Sequence, residues 1–438
     1  MGAAGVLVAF LTAACFTGGE ADTGPAIVTV KLRGCTVKAG TAPPVAPGGY
    51  YTNGTTVCTA DGTEHLFHGV DRPSLEWDPS GEAAGEGIPA SDFQAMAGWH
   101  ANVVRIALNQ DFWLPDAALY NSDYEATVDR AVHDAEAAGL DVILDLHWSD
   151  QGNLKVTNIN RGMATPQNTA GDSNQQQMAD VNSKTFWSLV AAKYKGDGHV
   201  LFELYNEPNN ISWSVWLNGG IGPDGYTVVG MQELYDTVRQ AKANNVVIAG
   251  GLQWAFDLSN VGTAPIQGYN IMYATHPYNP QDPSSEWLTM FGYLAAGDIA
   301  PVIATEFGDG SAMCTGAWDT SLAQFANQYK ISWTAWAWFY PGPTDLCGFP
   351  ALISDWNYTP TVQGAAIQAA LLAYPSPSTI DAGADAAPDG AATDATLDGH
   401  ADDGGASSDD ASLDDASDAF VNEASDGGVA SDGTLDGD

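Results

Sequence analysis

Basic residues are scarce in this chain, with 14 Lys and Arg against 54 Asp and Glu and a formal net charge of −40. A surface without a basic patch cannot neutralise phosphates, which excludes nucleic acid as a partner. Long apolar runs are missing too. Val6 to Ala14 is too short to span a bilayer and no later run is long enough, so no transmembrane segment is expected. The five cysteines show neither a CxxC spacing nor a Cys/His cluster, which leaves no zinc site. No glycine-rich phosphate loop follows any apolar run, and this disfavours an open doubly wound sheet.

What is present divides the chain. An apolar fraction of 45% with 14 Trp is ample for a large core. Ser376 to Asp438 holds no Lys or Arg and 17 of the 54 acidic residues, so 23 net negative charges remain on the rest. Residues 375–438 repeat Asp with Ala, Gly and Ser. That composition cannot bury a core and predicts a disordered acidic tail, a solvated linker whose spacing matches no EF-hand loop. Residues 1–22 read as a signal-like segment without the usual leading basic residues. Within it, Leu11-Thr12-Ala13-Ala14-Cys15 is similar to a lipoprotein cleavage box with its Leu one place early. The expected location is therefore outside the cytoplasm, either secreted or attached to the cell surface through Cys15. Residues 23–47 read as a linker.

Eight short apolar runs recur in between, with helical patterns separating most of them: Leu66 to Val70, Asn102 to Leu108, Asp141 to Leu146, Val200 to Tyr205, Asn245 to Gly250, Ile271 to Ala274, Pro301 to Thr305 and Ser332 to Trp338. Ser122 and Glu125 read as a capping box ahead of Val128, Val132 and Ala135, with Gly139 as the stop. Trp318, Leu322, Phe325 and Tyr329 share one helical face. Strands alternating with helices imply a parallel sheet, and eight such units over residues 48–374 predict an α/β fold, a (β/α)8 TIM barrel. Cys35 and Cys58 then bracket the segment before the first barrel strand, while Cys314 and Cys347 lie beyond the last two. Each pair is expected to form a disulfide.

In such a barrel the C-terminal strand ends converge on one mouth. Here they carry Asp71 and Arg72, Arg105, His147, Asn206 and Glu207, His276 and Tyr278, Glu306, and Trp336. Asn206-Glu207-Pro208 is the most informative of these, because Glu306 ends a similar run. Two carboxylates at two strand ends can flank one glycosidic bond, one protonating the leaving oxygen and one attacking the anomeric carbon, with no metal or organic cofactor. The acid must stay protonated while the nucleophile stays ionised. Arg105, flanked by Val103, Val104 and Ile106 of a buried strand, supplies a cation to one of them.

These motifs resemble glycoside hydrolase family 5, the cellulase family. The resemblance spans roughly Gly48 to Tyr374 and rests on Gly69-Val70-Asp71-Arg72, Val104-Arg105, Asp145-Leu146-His147, Asn206-Glu207-Pro208, His276-Pro277-Tyr278, Thr305-Glu306-Phe307-Gly308 and the run Trp333 to Trp338. It implies Glu207 as general acid/base and Glu306 as nucleophile, with Arg105 and Tyr278 holding Glu306. It further implies Asn206 on the sugar 2-hydroxyl, His147 and His276 orienting the site, and Trp336 flooring the sugar, although Trp333 and Trp338 lie in the same run and a shift of two residues keeps the same barrel face.

Trp77, Trp148, Trp213, Trp216, Trp254 and Tyr340 lie in expected mouth loops, where they would stack on sugars or simply pack. The loop from Ser149 to about Asn174 lacks a clear period and would wall the cleft. The expected protein is a monomeric, retaining endo-β-glycosidase acting on a β-1,4-linked glucan, with mannan and xyloglucan as alternatives. A barrel that binds polysaccharide without cutting it would be expected to have lost Glu207 or Glu306.

Overall fold

The computed structural model describes residues 34–35, 42–81, 87–155, 159–160, 163–164, 176–311, 313–343, 346–347 and 349–374. The expected signal-like segment, most of the expected linker, the acidic tail and most of the 149–174 loop lie outside the described residues. Eight parallel strands form a closed barrel in chain order: β1 (His68–Arg72), β2 (Val103–Asn109), β3 (Asp141–Trp148), β4 (Val200–Glu203), β5 (Val247–Gly250), β6 (Ile271–Thr275), β7 (Val302–Ala304) and β8 (Ser332–Ala335). All eight predicted runs become strands with boundaries shifted by a few residues. The fold is the (β/α)8 TIM barrel.

Strand alternation sorts the side chains between two apolar layers. Phe67, Val103, Ile143, Leu201, Ile248, Met272 and Ile303 fill the barrel interior. Val70, Val104, Ile106, Val142, Leu144 and Phe202 face outward onto the helices. The same parity points Asp71, Arg105, Asp145 and Glu203 inward above that plug. Arg72, one residue on from Asp71, faces the other way, which corrects its expected place at the mouth. Its Nε donates to Asp92 at 2.6 Å and the pair is buried behind the strand. Gly69 is required by close approach, since a Cβ there would sit 1.8 Å from the Val103 carbonyl oxygen.

The helix Tyr124–Ala137 forms and Gly139 follows its end at φ +86°, but the capping box does not. Its first-turn flank Asp123 has a helical backbone and makes no side-chain cap, while the Asp123 N–H donates to Asn121 Oδ1 at 2.8 Å. Trp318, Leu322, Phe325 and Tyr329 do face the core from Ala317–Tyr329.

A three-stranded antiparallel sheet, Tyr50–Asn53, Thr56–Thr59 and Glu64–His65, lies at the opposite end of the barrel from the mouth, with Tyr50 and Val57 in the interior plug. The segment leading into it is docked rather than a free linker. Pro44 and Pro47 carbonyls accept from Asn270 Nδ2 and Gly198 N, each at 2.8 Å. Cys35 is bonded to Cys58 with Cα atoms 5.6 Å apart, and Cys314 to Cys347 with Cα atoms 5.4 Å apart. Replacing Cys35 and Cys58 together by Ala is expected to lower stability by about 3 kcal/mol, the effect of opening a short covalent loop. Urea unfolding checks this, and an unchanged midpoint would mean that the sheet holds without the bond.

Candidate active site

Arg105 is the hub of the mouth. Its planar fork donates in three directions at once, from Nε to Glu203 Oε2 at 2.5 Å, from Nη1 to Glu306 Oε1 at 2.6 Å, and from Nη2 to Asn206 Oδ1 at 2.6 Å. Asp145 Oδ2 lies 2.9 Å from Nη2 and Asp71 Oδ1 lies 3.5 Å from Nη1. Burial alone would push the Arg105 pKa down, yet Asp145, Glu203, Glu306 and Asp71 together hold it well above the usual arginine value. One buried cation cannot serve four carboxylates equally. Burial holds Asp71 and Asp145 well above the usual carboxylate range, because Arg105 offsets it only in part and other acids add to it. For Glu203, burial is outweighed by Arg105 and His276, and the pKa falls to about 2.

Chain extensions beyond the strand ends place the remaining groups. After β4 the ladder continues through Leu204 N to the Ile248 carbonyl at 2.9 Å and Asn206 N to the Leu146 carbonyl at 3.0 Å, which sets Asn206 and Glu207 at the rim. After β6 and β7, Tyr278–Asn279 pairs in parallel with Gly308–Asp309, bringing Tyr278 beside Glu306. The Tyr278 hydroxyl donates to Glu306 Oε2 at 2.8 Å, so both oxygens of Glu306 have donors.

His276 joins the two glutamates. Its Nδ1 lies 2.9 Å from Glu207 Oε1 and 3.7 Å from Glu306 Oε2, and its Nε2 lies 2.9 Å from Thr305 Oγ1. Burial lowers the His276 pKa, but Glu306, Glu203 and Glu207 overcome it and raise it to about 10. One ligand atom each from Glu207, His276 and Glu306 lie within 4.8 Å of one another. A metal there would have to displace a protein partner, since both ring nitrogens already face Glu207 and Thr305.

His147 is the opposite case. Burial lowers its pKa despite Glu76 and Glu306 nearby. Its Nδ1 meets Asp145 Oδ2 at 2.8 Å and its Nε2 meets Asn206 Nδ2 at 3.4 Å, so Arg105 and His147 together determine which way the Asn206 amide points. The His147 ring stacks on Trp336 at 17° with centroids 5.9 Å apart. Trp336 follows β8, its N–H donating to the Phe307 carbonyl at 3.0 Å, and belongs to a mouth cluster with Trp77 and Phe339. Trp333 and Trp338 are buried in the outer core layer, whereas Trp336 lies in the separate cluster at the mouth.

Of the other aromatics, Trp254 is 43% exposed on a turn where Gln253, Trp254 and Ala255 all have positive φ, and its N–H donates to the Pro208 carbonyl beside Glu207. Trp148 is buried against His147. Trp216 is wholly interior and its Nε1 donates to the Gly250 carbonyl, so it is a packing residue. Sequence reasoning overlooked Glu203, Thr305 and Glu76. The first was detectable, since it shares the inward parity of β4 with Leu201. Glu76, buried in the turn after β1 and pushed up to about 7 by desolvation, had no signal in the sequence.

Two glutamates facing each other at the C-terminal mouth of a (β/α)8 barrel form a carboxyl pair of the kind that can cleave a glycosidic bond. The family model Cellulase (glycosyl hydrolase family 5) matches residues 60–342. The chain belongs to glycoside hydrolase family 5. It is 25% identical over 333 residues to Endoglucanase C of Evansella cellulosilytica, covering 69% of this chain and 37% of that one. To Endoglucanase E-5 of Thermobifida fusca it is 24% identical over 297 residues, covering 65% and 54%. The chain thus spans about half or less of the length of these relatives. Among solved structures, the β-glucanase SdGluc5_26A from Saccharophagus degradans superposes with a TM-score of 0.56 at 23% identity, over 76% of this chain and 94% of that one.

Proposed function

We propose that this protein is a retaining endo-β-1,4-glucanase acting outside the cytoplasm by double displacement. The observation that carries the reading is the placement of Glu207 and Glu306, with one carboxylate oxygen of each within 4.8 Å of the other. Retaining enzymes hold their carboxyl groups about 5–5.5 Å apart, whereas inverting ones leave about 6.5–9.5 Å for a water. Glu306, gripped through both oxygens by Arg105 and Tyr278, attacks the anomeric carbon as Glu207 protonates the departing oxygen. Glu207 then takes a proton from water, which attacks the same carbon and releases Glu306. Asn206 bonds the 2-hydroxyl and Trp336 floors the sugar.

The substrate assignment follows the relatives, which are endoglucanases by name, and a related structure of SdGluc5_26A holds cellotetraose. An exposed Trp254 on the Glu207 side and the Trp336 cluster opposite suit a cleft for several sugars. No helix among the described residues is long and apolar enough to cross a membrane. A monomer working on soluble polysaccharide is the simplest arrangement.

Turnover of cello-oligosaccharides is expected to rise with chain length, because remote subsites position the scissile bond. Soluble cellulose derivatives should lose viscosity faster than they gain reducing ends. Dominant early release of monosaccharide would sink the endo assignment, and cleavage confined to mannan or xyloglucan would replace the substrate.

A further inference from the structure

Glu203 takes no direct part in the displacement above, yet it is wholly buried one layer below it and receives two short hydrogen bonds. Arg105 Nε donates to its Oε2 at 2.5 Å and the Thr305 hydroxyl donates to its Oε1 at 2.6 Å. Thr305 has one hydrogen. With that hydrogen given to Glu203, its oxygen can only accept from His276 Nε2, 2.9 Å away. The direct Glu203 to His276 separation of 3.8 Å is too long for a hydrogen bond, so Thr305 is the link. On the far side of the ring, Nδ1 faces Glu207 Oε1 at 2.9 Å.

We propose that Glu203, acting through Thr305, is a positioning residue that keeps both ring nitrogens of His276 protonated and thereby confines the acid proton of Glu207 to the oxygen facing the substrate. The proposal rests on Glu207 being the general acid. The imidazolium Nδ1–H donates to Oε1 of Glu207, so Oε1 is an acceptor in either state of the carboxyl and the proton to be transferred resides on Oε2. During glycosylation that proton passes from Oε2 to the leaving oxygen, and during deglycosylation Oε2 recovers one from water. His276 keeps its own two protons throughout. Were the ring neutral with Nδ1 bare, Oε1–H would point at the ring instead, and the acid would be aimed away from the bond.

The surroundings of His276 fit a permanent cation. Glu203 and Glu207 from the β4 side and Glu306 from the β7 side face it, with Asp71, Asp145 and Asp282 farther out, while Arg105 shares Glu203 and Glu306 with it. The acids outweigh burial and raise its pKa to about 10.

The test uses the full chain with 15N-labelled histidine, the His276 resonances being those lost in His276→Asn. At pH 8 both ring nitrogens are expected to carry protons in the native protein, and Glu203→Gln is expected to leave only one. On cello-oligosaccharides, Glu203→Gln should lower kcat about 100-fold and move the alkaline limb of the pH profile to lower pH. On a dinitrophenyl cellobioside, whose leaving group needs no acid, the loss should stay within about threefold. Glu203→Gln also disturbs Arg105, so Thr305→Val is the second variant. It cuts the link without touching that ion pair, and about a tenfold loss with the same leaving-group dependence is expected, with Thr305→Ser restoring it. A singly protonated His276 in the native protein overturns the proposal, as does an equal loss on both substrates in Thr305→Val. If the native protein cleaves no β-glycoside, the functional reading fails separately, while the histidine spectrum still reports the ring's protonation.

Discussion

Glu306→Ala is expected to abolish turnover on every substrate, with kcat falling on the order of 10⁵- to 10⁶-fold, as for removal of a covalent nucleophile. Glu207→Ala should behave differently. On unactivated β-1,4-glucan it should lose about 10²- to 10⁴-fold, the usual contribution of a positioned acid. On a dinitrophenyl glycoside its first step should proceed, leaving the glycosyl ester on Glu306 without a base to hydrolyse it. Added azide should then attack that ester and give a β-glycosyl azide. NMR of the product decides the matter. An α-azide, an inverted first product of the native protein, or equal loss in both variants on the activated substrate would overturn the assignment of roles.

Arg105→Met is expected to have the largest effect on stability, about 3–5 kcal/mol, because it removes the cation beside Asp71, Asp145, Glu203 and Glu306 without removing the buried acids. The sign of its pH dependence follows from linkage. In the native protein Glu203 titrates at about 2, below its ordinary value, and so contributes stability above the unfolded pKa that is lost as pH falls toward 2. Without Arg105 the folded pKa of Glu203 should rise above the unfolded value, so the variant should become less stable as pH rises from about 4 to 7. Denaturant melts at pH 4.5 and 7 check this. A deficit that grows toward low pH would contradict the picture of acids sharing one cation. Lysine should not restore activity, since a single ammonium cannot span Glu203, Asn206 and Glu306 as the guanidinium does.

Much of the site is legible in the chain because parallel barrel strands are short, buried on both sides and separated by helices. Their ends fall where apolar runs stop at polar residues. Arg105, Glu207 and Glu306 were readable for that reason. Arg72 was not, because a one-residue step on a strand changes the face, and only the packing of Phe67 against the barrel interior decides which of Asp71 and Arg72 turns inward. The Ser122–Glu125 box did not form because the helix begins at Tyr124, one residue later than that box requires, and Asn121 Oδ1 accepts the Asp123 N–H ahead of it.

By itself the sequence determined the eight strands, the closed order implied by their alternation with helices, the two glutamates and the arginine between them, since each follows from local patterning and residue chemistry. Only the tertiary structure decided which carboxylates share that arginine, that Trp336 rather than Trp333 or Trp338 joins the mouth, and that Glu203 reaches Glu207 through Thr305 and His276. Those choices depend on side chains on or just beyond β1, β2, β3, β4, β6, β7 and β8 meeting in a closed barrel. Distances between groups up to 201 residues apart are created by closure, and no local pattern encodes them.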